Sequence, residues 1–313
     1  MAGALVTLPL LDPHRVPPWL GWRLCFVLGS LLGLGILLIR SRIPESPRWL
    51  MTHGRHQEAE RIVAHIEETV KRTHALAELP AVDGSIEIRE LRQPNFLTVA
   101  RELVVTYPQR TVLGATLMVS QSFLYNAIFF SYALVLSRFY GVAAGRVGLY
   151  ILPFAAFNFC GPLLLGRLFD SIGRRPMISF TYGTSGVLLC LTGWLFAQGQ
   201  LTATSQTLLW SAVFFFASAG ASSAYLTVSE VFPLEIRAMA IACFFVVSQG
   251  AGVAAPWIFG KLIQSSAISV FYGYLLGAGM MIAAALVTLR FGVRAERRSP
   301  EEIATPLSAR RRS

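Results

Sequence analysis

Hydrogen-bonding side chains gather within one otherwise apolar segment of the chain, at residues 111–136. Gln121 and Tyr125 are four residues apart, and so are Ser122 and Asn126, so on a helix the two pairs form one broad polar stripe. Burial of polar groups in such a segment costs free energy unless they are hydrogen-bonded or hydrated. Their chemistry is hydrogen bonding, either to a bound polar molecule or to a neighbouring helix.

Asn158 adds to this set, because it is the only amide in the apolar segment 147–168. Hydrogen bonds between helices inside a bundle would use the same kinds of side chain. For Gln121, Asn126 and Asn158 the sequence therefore leaves two uses open, ligand binding and helix–helix contact.

A second set of residues carries charge of the wrong sign for its place on a helix. Asp170 and Glu230 end apolar segments, where the helix dipole disfavours anions. Arg174, Arg175 and Arg237 begin the next segments, where the dipole disfavours cations. Such local violations are expected at functional sites. We therefore expect these charges to pair with one another, the alternative being ordinary short basic turns.

Metal, redox and catalytic chemistry find little support in the sequence. No CxxC pair exists, and each cysteine lies inside an apolar run. Four of the five histidines, including His53 and His56, lie in residues 40–110 without a third ligand at a convincing spacing. All five lie outside the apolar segments, so no nucleophile and base converge there. We expect no metal, no cofactor and no enzymatic activity.

The composition places these residues in a lipid bilayer. Of 313 residues, 54% are hydrophobic and only 14% are charged, whereas a soluble domain carries about 25% charged residues. The mean hydropathy is +0.56. The net charge of +10 would suit nucleic acid, but the basic residues flank apolar segments and form no single polar face. We therefore expect no nucleic-acid partner.

Seven segments are apolar over about 20 residues, the length that crosses a bilayer as a helix. A retinal protein would share that number, but the last segment lacks the mid-helix lysine that such a protein needs. We predict an all-α polytopic membrane helix bundle with spans at 19–39, 111–136, 147–168, 177–197, 207–229, 238–262 and 268–290.

Basic residues predict the orientation of these spans. The connections and the tail on one side hold 22 of the 27 Lys and Arg residues, the other five being Arg15, Arg23, Arg138, Arg146 and Lys261. Because basic loops stay in the cytoplasm, we place the segment 40–110 and the C-terminus there, in a multi-pass protein of the plasma (inner) membrane.

The remaining segments are polar or too short to cross a membrane. Residues 1–11 are apolar without a basic start, so they are interpreted as the end of a helix whose first half is missing. Ser46 is expected to cap a helix that ends at Gly54. An amphipathic helix is predicted at 55–72, followed by a loop at 75–94 and a short helix at 95–106.

Four motifs together resemble those of the major facilitator superfamily. The stretch 166–175 reads G-x-x-x-D-x-x-G-R-R, in which Gly173 supplies a turn at little steric cost. P-E-S-P-R-W-L at 44–50, S-E-x-F-P-x-x-x-R at 229–237 and R-S-P-E-E-I at 298–303 are similar to the sugar-porter branch. Ser171 departs from the pattern, since a basic residue commonly follows the aspartate.

This resemblance implies the C-terminal six-helix half of the major facilitator fold. Residues 1–39 would end the N-terminal half, with a stub of helix five followed by helix six. Residues 40–110 would be a cytoplasmic linker, 111–290 the bundle and 291–313 a basic tail. The implied function is transport of a small polar solute by alternating access. The alternative is a non-transporting fragment, or a half-transporter that needs a separate N-terminal half.

The resemblance also implies roles for individual residues. A gate on the cytoplasmic side would comprise Glu45, Arg48, Asp170, Gly173, Arg174, Arg175, Glu230 and Arg237. Gln121 and Asn126 keep a Q-x-x-x-x-N pattern that contacts sugar in the family, and Asn158 keeps the spacing of a further contact. Tyr125, Tyr225 and Gln249 would complete the substrate site.

The solute and its coupling stay open at this point. Residues 221–225 read A-S-S-A-Y, whereas sugar porters have a Pro-rich stretch ending in Trp. Ser248 and Gln249 stand where hexose carriers have Asn and Trp. A sugar-like or an organic-acid-like metabolite is therefore expected. No span carries a deep carboxylate, so uniport and proton symport are both compatible with the chain.

Overall fold

The computed structural model describes residues 6, 9–10, 12, 14–74, 95–293 and 303–304. The predicted loop at 75–94, most of the stretch 1–11 and most of the tail 291–313 lie outside these residues. Within the described ranges the secondary structure is helical, without a strand, as the sequence predicts.

Within these described ranges, seven helices are long and apolar enough to cross a membrane, which confirms the seven predicted spans. The helices extend past the predicted limits by a few residues, because hydropathy marks the apolar stretch while the backbone hydrogen bonds continue into the polar ends. They are α1 (Pro18–Arg40), α5 (Pro108–Tyr140), α6 (Ala144–Ser171), α7 (Arg174–Ala197), α8 (Ala203–Glu230), α9 (Leu234–Ser265) and α10 (Ala267–Phe291).

The chain divides into two compact units. One comprises Phe26–Pro94 and Thr305–Ser313 and contains two shorter helices, α2 (Pro47–Thr52) and α3 (His56–His74), which pack on each other. Gly54 turns the chain between them at a φ of 74°. Ser46 stands at the N-cap of α2, but its side chain makes no capping hydrogen bond, so that detail of the prediction is wrong.

The other unit, Met1–Cys25 with Asn95–Ala304, contains a bundle of six helices, α5 to α10. In the bundle α5 packs against α9 and α10, α6 against α8, and α7 against α8 and α10. The predicted helix at 95–106 is α4 (Phe96–Arg101), which continues as a π-helical turn at Glu102–Thr106. Large side chains fill the core, among them Trp210, Tyr182, Tyr274, Phe214 and Phe259, each less than 2% exposed.

The order of the helices brings six helix ends together at one end of the bundle. These are the starts of α5, α7 and α9 and the ends of α6, α8 and α10. We call this the charged end, because it carries the wrong-sign charges predicted from the sequence. The polar stripe of α5 lies further along, near the middle of that helix.

Candidate functional site

Tyr125 of the polar stripe bonds directly to Asn158 on the neighbouring helix α6. Its phenolic O–H donates to Asn158 Oδ1 at 2.8 Å. The ring of Tyr125 also packs on Phe214 of α8, with ring centroids 4.6 Å apart. Tyr125 and Asn158, which were predicted as site residues from separate segments, thus meet at a junction of three helices, α5, α6 and α8.

The other half of the stripe faces α9. Asn126 donates from Nδ2 to the carbonyl of Ser122 at 2.7 Å, and Ser122 Oγ approaches Gln249 Oε1 at 3.4 Å. Gly252 permits this approach, since a Cβ at that position would lie 2.6 Å from Ser122 Oγ and 2.8 Å from Asn126 Nδ2. Such close contact at a glycine is typical of helix pairs in membranes.

Gln121 and Tyr225 occupy contrasting environments. Gln121 is only 6% exposed, and neither atom of its amide makes a hydrogen bond of ordinary geometry within the described helices. A buried polar group without a partner costs about 1–3 kcal/mol. Tyr225 of α8 is 43% exposed and presents its ring at the surface of the bundle.

At the charged end, Arg174 and Glu230 form an ion pair through Nη1 and Oε2. Their side chains are 13% and 24% exposed, so the pair is partly withdrawn from water. Gly173, which precedes α7, has a φ of 112° and a ψ of 148°. Only glycine adopts that backbone region readily. The conformation of Gly173 therefore directs the chain into α7 with Arg174 beside α8.

Two further arginines of this end reach backbone carbonyls. Arg175 donates to the carbonyl of Leu289 near the end of α10. Arg237 donates to the carbonyl of Phe232 from Nε at 3.3 Å and from Nη2 at 3.2 Å. A cation is favourable beside the C-terminal carbonyls of a helix. Arg175, which opposes the dipole of its own helix, therefore complements that of α10.

The remaining gate candidates are Asp170, Glu45 and Arg48. Asp170 is exposed and forms no ion pair with any residue that the structure describes, so the expected pairing of this carboxylate is not present. Glu45 is exposed and Arg48 belongs to the first turn of α2, both in the smaller unit. Among the gate candidates of the bundle, Arg174 and Glu230 form an ion pair with each other.

Arg110 is a residue of the charged end that sequence reasoning missed. Near the start of α5, it donates to the carbonyl of Val231, which follows α8, and from Nη2 to that of Ile303 at 2.8 Å. Its guanidinium carbon lies 5.2 Å from the ring centroid of Tyr107. Burial raises the pKa of the Tyr107 phenol, and the positive charge of Arg110 opposes that rise. The feature of the sequence that could have identified Arg110 is its position as the third residue of a membrane helix.

Metal-ligating side chains do not gather at either place. Within the described ranges, no group of three or more His, Cys, Asp or Glu side chains is positioned to hold a metal ion. The arrangement offers hydrogen bonding in the middle of the bundle and ion pairing at its charged end.

Comparison with known structures gives the fold class. A structure of the major facilitator superfamily proton:xylose symporter XylE, bound to 6-bromo-6-deoxy-D-glucose, superposes with a TM-score of 0.73 at 20% identity. The match covers 96% of this chain and 62% of that one. The protein is therefore a multi-pass membrane protein with the fold of the major facilitator superfamily. It spans only part of that fold.

Sequence comparison then gives the family. The family described as "Sugar (and other) transporter" matches residues 15–307, so the chain belongs to that family. It is 28% identical to the major myo-inositol transporter IolT of Bacillus subtilis, covering 80% of this chain and 54% of the relative. It is 24% identical to the glucose facilitated diffusion protein of Zymomonas mobilis, covering 90% and 59%.

The chain thus spans between half and two thirds of the length of these relatives. One is named a transporter and the other a facilitated diffusion protein, in agreement with the expectation that this chain is not an enzyme.

Proposed function

We propose that this chain forms the C-terminal half of a carrier that moves a small polar, sugar-like solute across a membrane by alternating access. Residues 111–290 would supply the six-helix half, 1–39 the end of the N-terminal half, 40–110 the linker and 291–313 the tail. In such carriers two halves rock about a site near the middle of the membrane, which opens to one side at a time.

Unused hydrogen-bonding capacity in the middle of the bundle is the observation that carries this proposal. Neither atom of the Gln121 amide makes a hydrogen bond of ordinary geometry within the described helices, and the amide nitrogen of Asn158 makes no hydrogen bond there. Gln249 is exposed beside Asn126 and Ser122. Polar groups are costly at this depth, so a polyhydroxylated solute would satisfy them.

The names of the relatives favour a sugar or a polyol as the solute class. Those proteins are named for myo-inositol and glucose, which both carry several hydroxyl groups. Tyr225 would supply an aromatic wall against the apolar face of a ring. Its surroundings lack the prolines and tryptophan of sugar porters, so an organic acid is the second solute class to be tested.

Solute counterflow in proteoliposomes that contain the chain tests this function. Labelled myo-inositol, D-glucose, D-xylose and a monocarboxylic sugar acid would be compared at concentrations below the binding constant. Loss of one hydrogen bond to a bound solute costs about 1–3 kcal/mol, so Asn158→Ala should raise the apparent binding constant by about 5- to 150-fold. Ser265→Ala, which removes an exposed hydroxyl at the end of α9 remote from the solute site, is the matched control. Equal counterflow by Asn158→Ala and wild type would refute the site.

A half-transporter is the second candidate, in which the chain acts only with a separate N-terminal half. It is proposed because α5 to α10 form one six-helix bundle, whereas alternating access uses two halves. The same proteoliposomes, prepared with and without a co-expressed N-terminal half of IolT, distinguish the two. Addition of a protonophore to the active preparation separates proton symport from facilitated diffusion.

We further propose that the charged end faces the cytoplasm and closes as a gate while the solute site is open to the outside. Asp170, Arg174, Arg175, Glu230 and Arg237 are its charged members. The Arg174–Glu230 ion pair supports this role. Ion pairs at a membrane face break at modest net cost because water solvates the freed charges, which suits a reversible gate.

A further inference from the structure

A proline inside α6 frees the backbone carbonyl of Asn158. Pro162 lies within that helix, four residues after Asn158. Proline has no N–H and therefore cannot donate the hydrogen bond that would reach the carbonyl four residues earlier. In the middle of a membrane a carbonyl without a partner is costly, so the carbonyl of Asn158 requires a donor from outside its own helix.

Ser218 of α8 is that donor. Its Oγ–H donates to the carbonyl oxygen of Asn158 at 2.8 Å, and the side chain is only 5% exposed. Gly161 makes room for this approach, since a Cβ at that position would lie 2.7 Å from Ser218 Oγ. Proline, glycine and serine therefore act together: Pro162 frees the acceptor, Gly161 admits α8, and Ser218 supplies the donor.

The side chain of Asn158 is held at its oxygen as well. The hydroxyl of Tyr125 donates to Oδ1 at 2.8 Å. Asn158 thus accepts hydrogen bonds from α8 at its backbone and from α5 at its side chain. An amide has one accepting oxygen and two N–H donors, and within the described helices the Nδ2 group of half-buried Asn158 makes no hydrogen bond.

We propose that Ser218 and Tyr125 are positioning residues that fix Asn158 as a hydrogen-bond donor in the solute site. The bond to its oxygen fixes the orientation of the Asn158 amide, so its two N–H groups stay available and select a solute that presents an acceptor oxygen at that point. This selectivity deepens the function proposed above and rests on it. The anchoring of Asn158 by Ser218 and Pro162 can be measured without any solute.

The anchor is tested by a double-mutant cycle on the purified chain in detergent. In Pro162→Ala the restored N–H can bond to the carbonyl of Asn158, so Ser218 is no longer required. We expect Ser218→Ala to lower the Tm by about 2–4 °C in the wild-type background and by clearly less with Pro162→Ala. Equal shifts in both backgrounds overturn the anchor. Ser218→Thr, which keeps the hydroxyl, serves if Ser218→Ala does not fold.

Selectivity is tested by binding of D-glucose and its monodeoxy and monofluoro derivatives to the same chain. Fluorine accepts weakly but cannot donate, so at the position facing Asn158 the fluoro derivative should bind more tightly than the deoxy derivative. We expect Tyr125→Phe and Ser218→Ala to reduce that ratio at least threefold, and Ser218→Thr and the control Ser265→Ala, at the end of α9, to retain it. An unchanged ratio in Tyr125→Phe and Ser218→Ala refutes the proposal. If wild type binds none of these probes, the sugar-carrier function and the selectivity built on it both fail. The double-mutant cycle still shows whether Ser218 anchors the carbonyl of Asn158.

Discussion

Arg174, the first residue of α7, forms an ion pair with Glu230, the last residue of α8. Each charge opposes the dipole of its own helix. The two helices run in opposite directions, however, so Arg174 also lies beside the C-terminal end of α8, where a cation is favourable. Each charge is therefore unfavourable beside the dipole of its own helix but favourable beside the dipole of the neighbouring helix.

Removal of one partner of this pair should destabilise the protein. Arg174→Ala leaves Glu230 partly buried at a helix end that disfavours anions. We expect a loss of about 1–2 kcal/mol, less than for a fully buried pair because both side chains retain some contact with water. Thermal unfolding in detergent measures the loss. The exchanged pair, Arg174→Glu with Glu230→Arg, should recover part of it. If the exchanged pair loses as much stability as its two single substitutions added together, Arg174 and Glu230 do not stabilise each other.

Gly173 should tolerate no side chain. Its φ of 112° and ψ of 148° are costly for other residues by about 1–3 kcal/mol, so Gly173→Ala should lower the midpoint of thermal unfolding. Gly166→Ala, in the same loop motif, is the matched control, since a Cβ there meets nothing within 4 Å. Equal midpoints for the two variants would show that the turn readily relaxes.

Arg110 should hold the short stretch at Ile303 against the charged end. Ile303 is 8% exposed and packs in an apolar cluster with Val99, Val231 and Phe232. Arg110→Ala removes its charge-assisted hydrogen bond, worth about 1.5–3 kcal/mol, and should speed amide hydrogen exchange in the peptide containing Ile303. Arg138→Ala, which loses one bond to the carbonyl of Gln264 at 3.0 Å on an exposed surface, should leave that exchange unchanged. Identical exchange in both variants would argue against the role of Arg110.

Gln121 should contribute to solute binding at a cost in stability. Its amide is buried without a hydrogen bond of ordinary geometry in the part of the bundle described, so Gln121→Leu removes a polar group whose burial costs about 1–3 kcal/mol. We expect the Leu variant to unfold at a higher temperature and to bind solute more weakly. Both quantities can be measured on one purified sample. A lower unfolding temperature together with intact binding would make Gln121 a structural residue.

The proposed orientation predicts which positions react with a reagent that cannot cross the membrane. Thr73 of α3 is exposed, and so is Gln200 in the turn between α7 and α8, at the end of the bundle opposite its charged end. The proposed orientation places Thr73 in the cytoplasm and Gln200 outside. After replacement of the four native cysteines by alanine, Gln200→Cys should be labelled on intact cells and Thr73→Cys only after lysis. Strong labelling of Thr73→Cys on intact cells would reverse the topology.

Much of the architecture follows from the sequence alone. Length and hydropathy predict all seven membrane helices, because burial of apolar side chains in lipid and internal pairing of the backbone act locally along each span. The four-residue spacing of Gln121 and Tyr125 likewise predicts a shared helix face. These properties depend on residues near one another in the chain.

The choice of partners was decided only by the tertiary structure. The sequence presented Asp170 and Glu230 as alternative anions for Arg174, and packing of α7 against α8 selected Glu230. Arg110 and Arg175 instead reach backbone carbonyls, and these acceptors have no side-chain signature in a sequence. The carbonyl of Asn158 accepts a hydrogen bond from Ser218, 60 residues away in the chain. Pro162 leaves that carbonyl without a donor in its own helix, and helix packing places the Ser218 hydroxyl beside it. Hydrogen bonds of this kind depend on distances of about 3 Å across helices, which only the packed bundle determines.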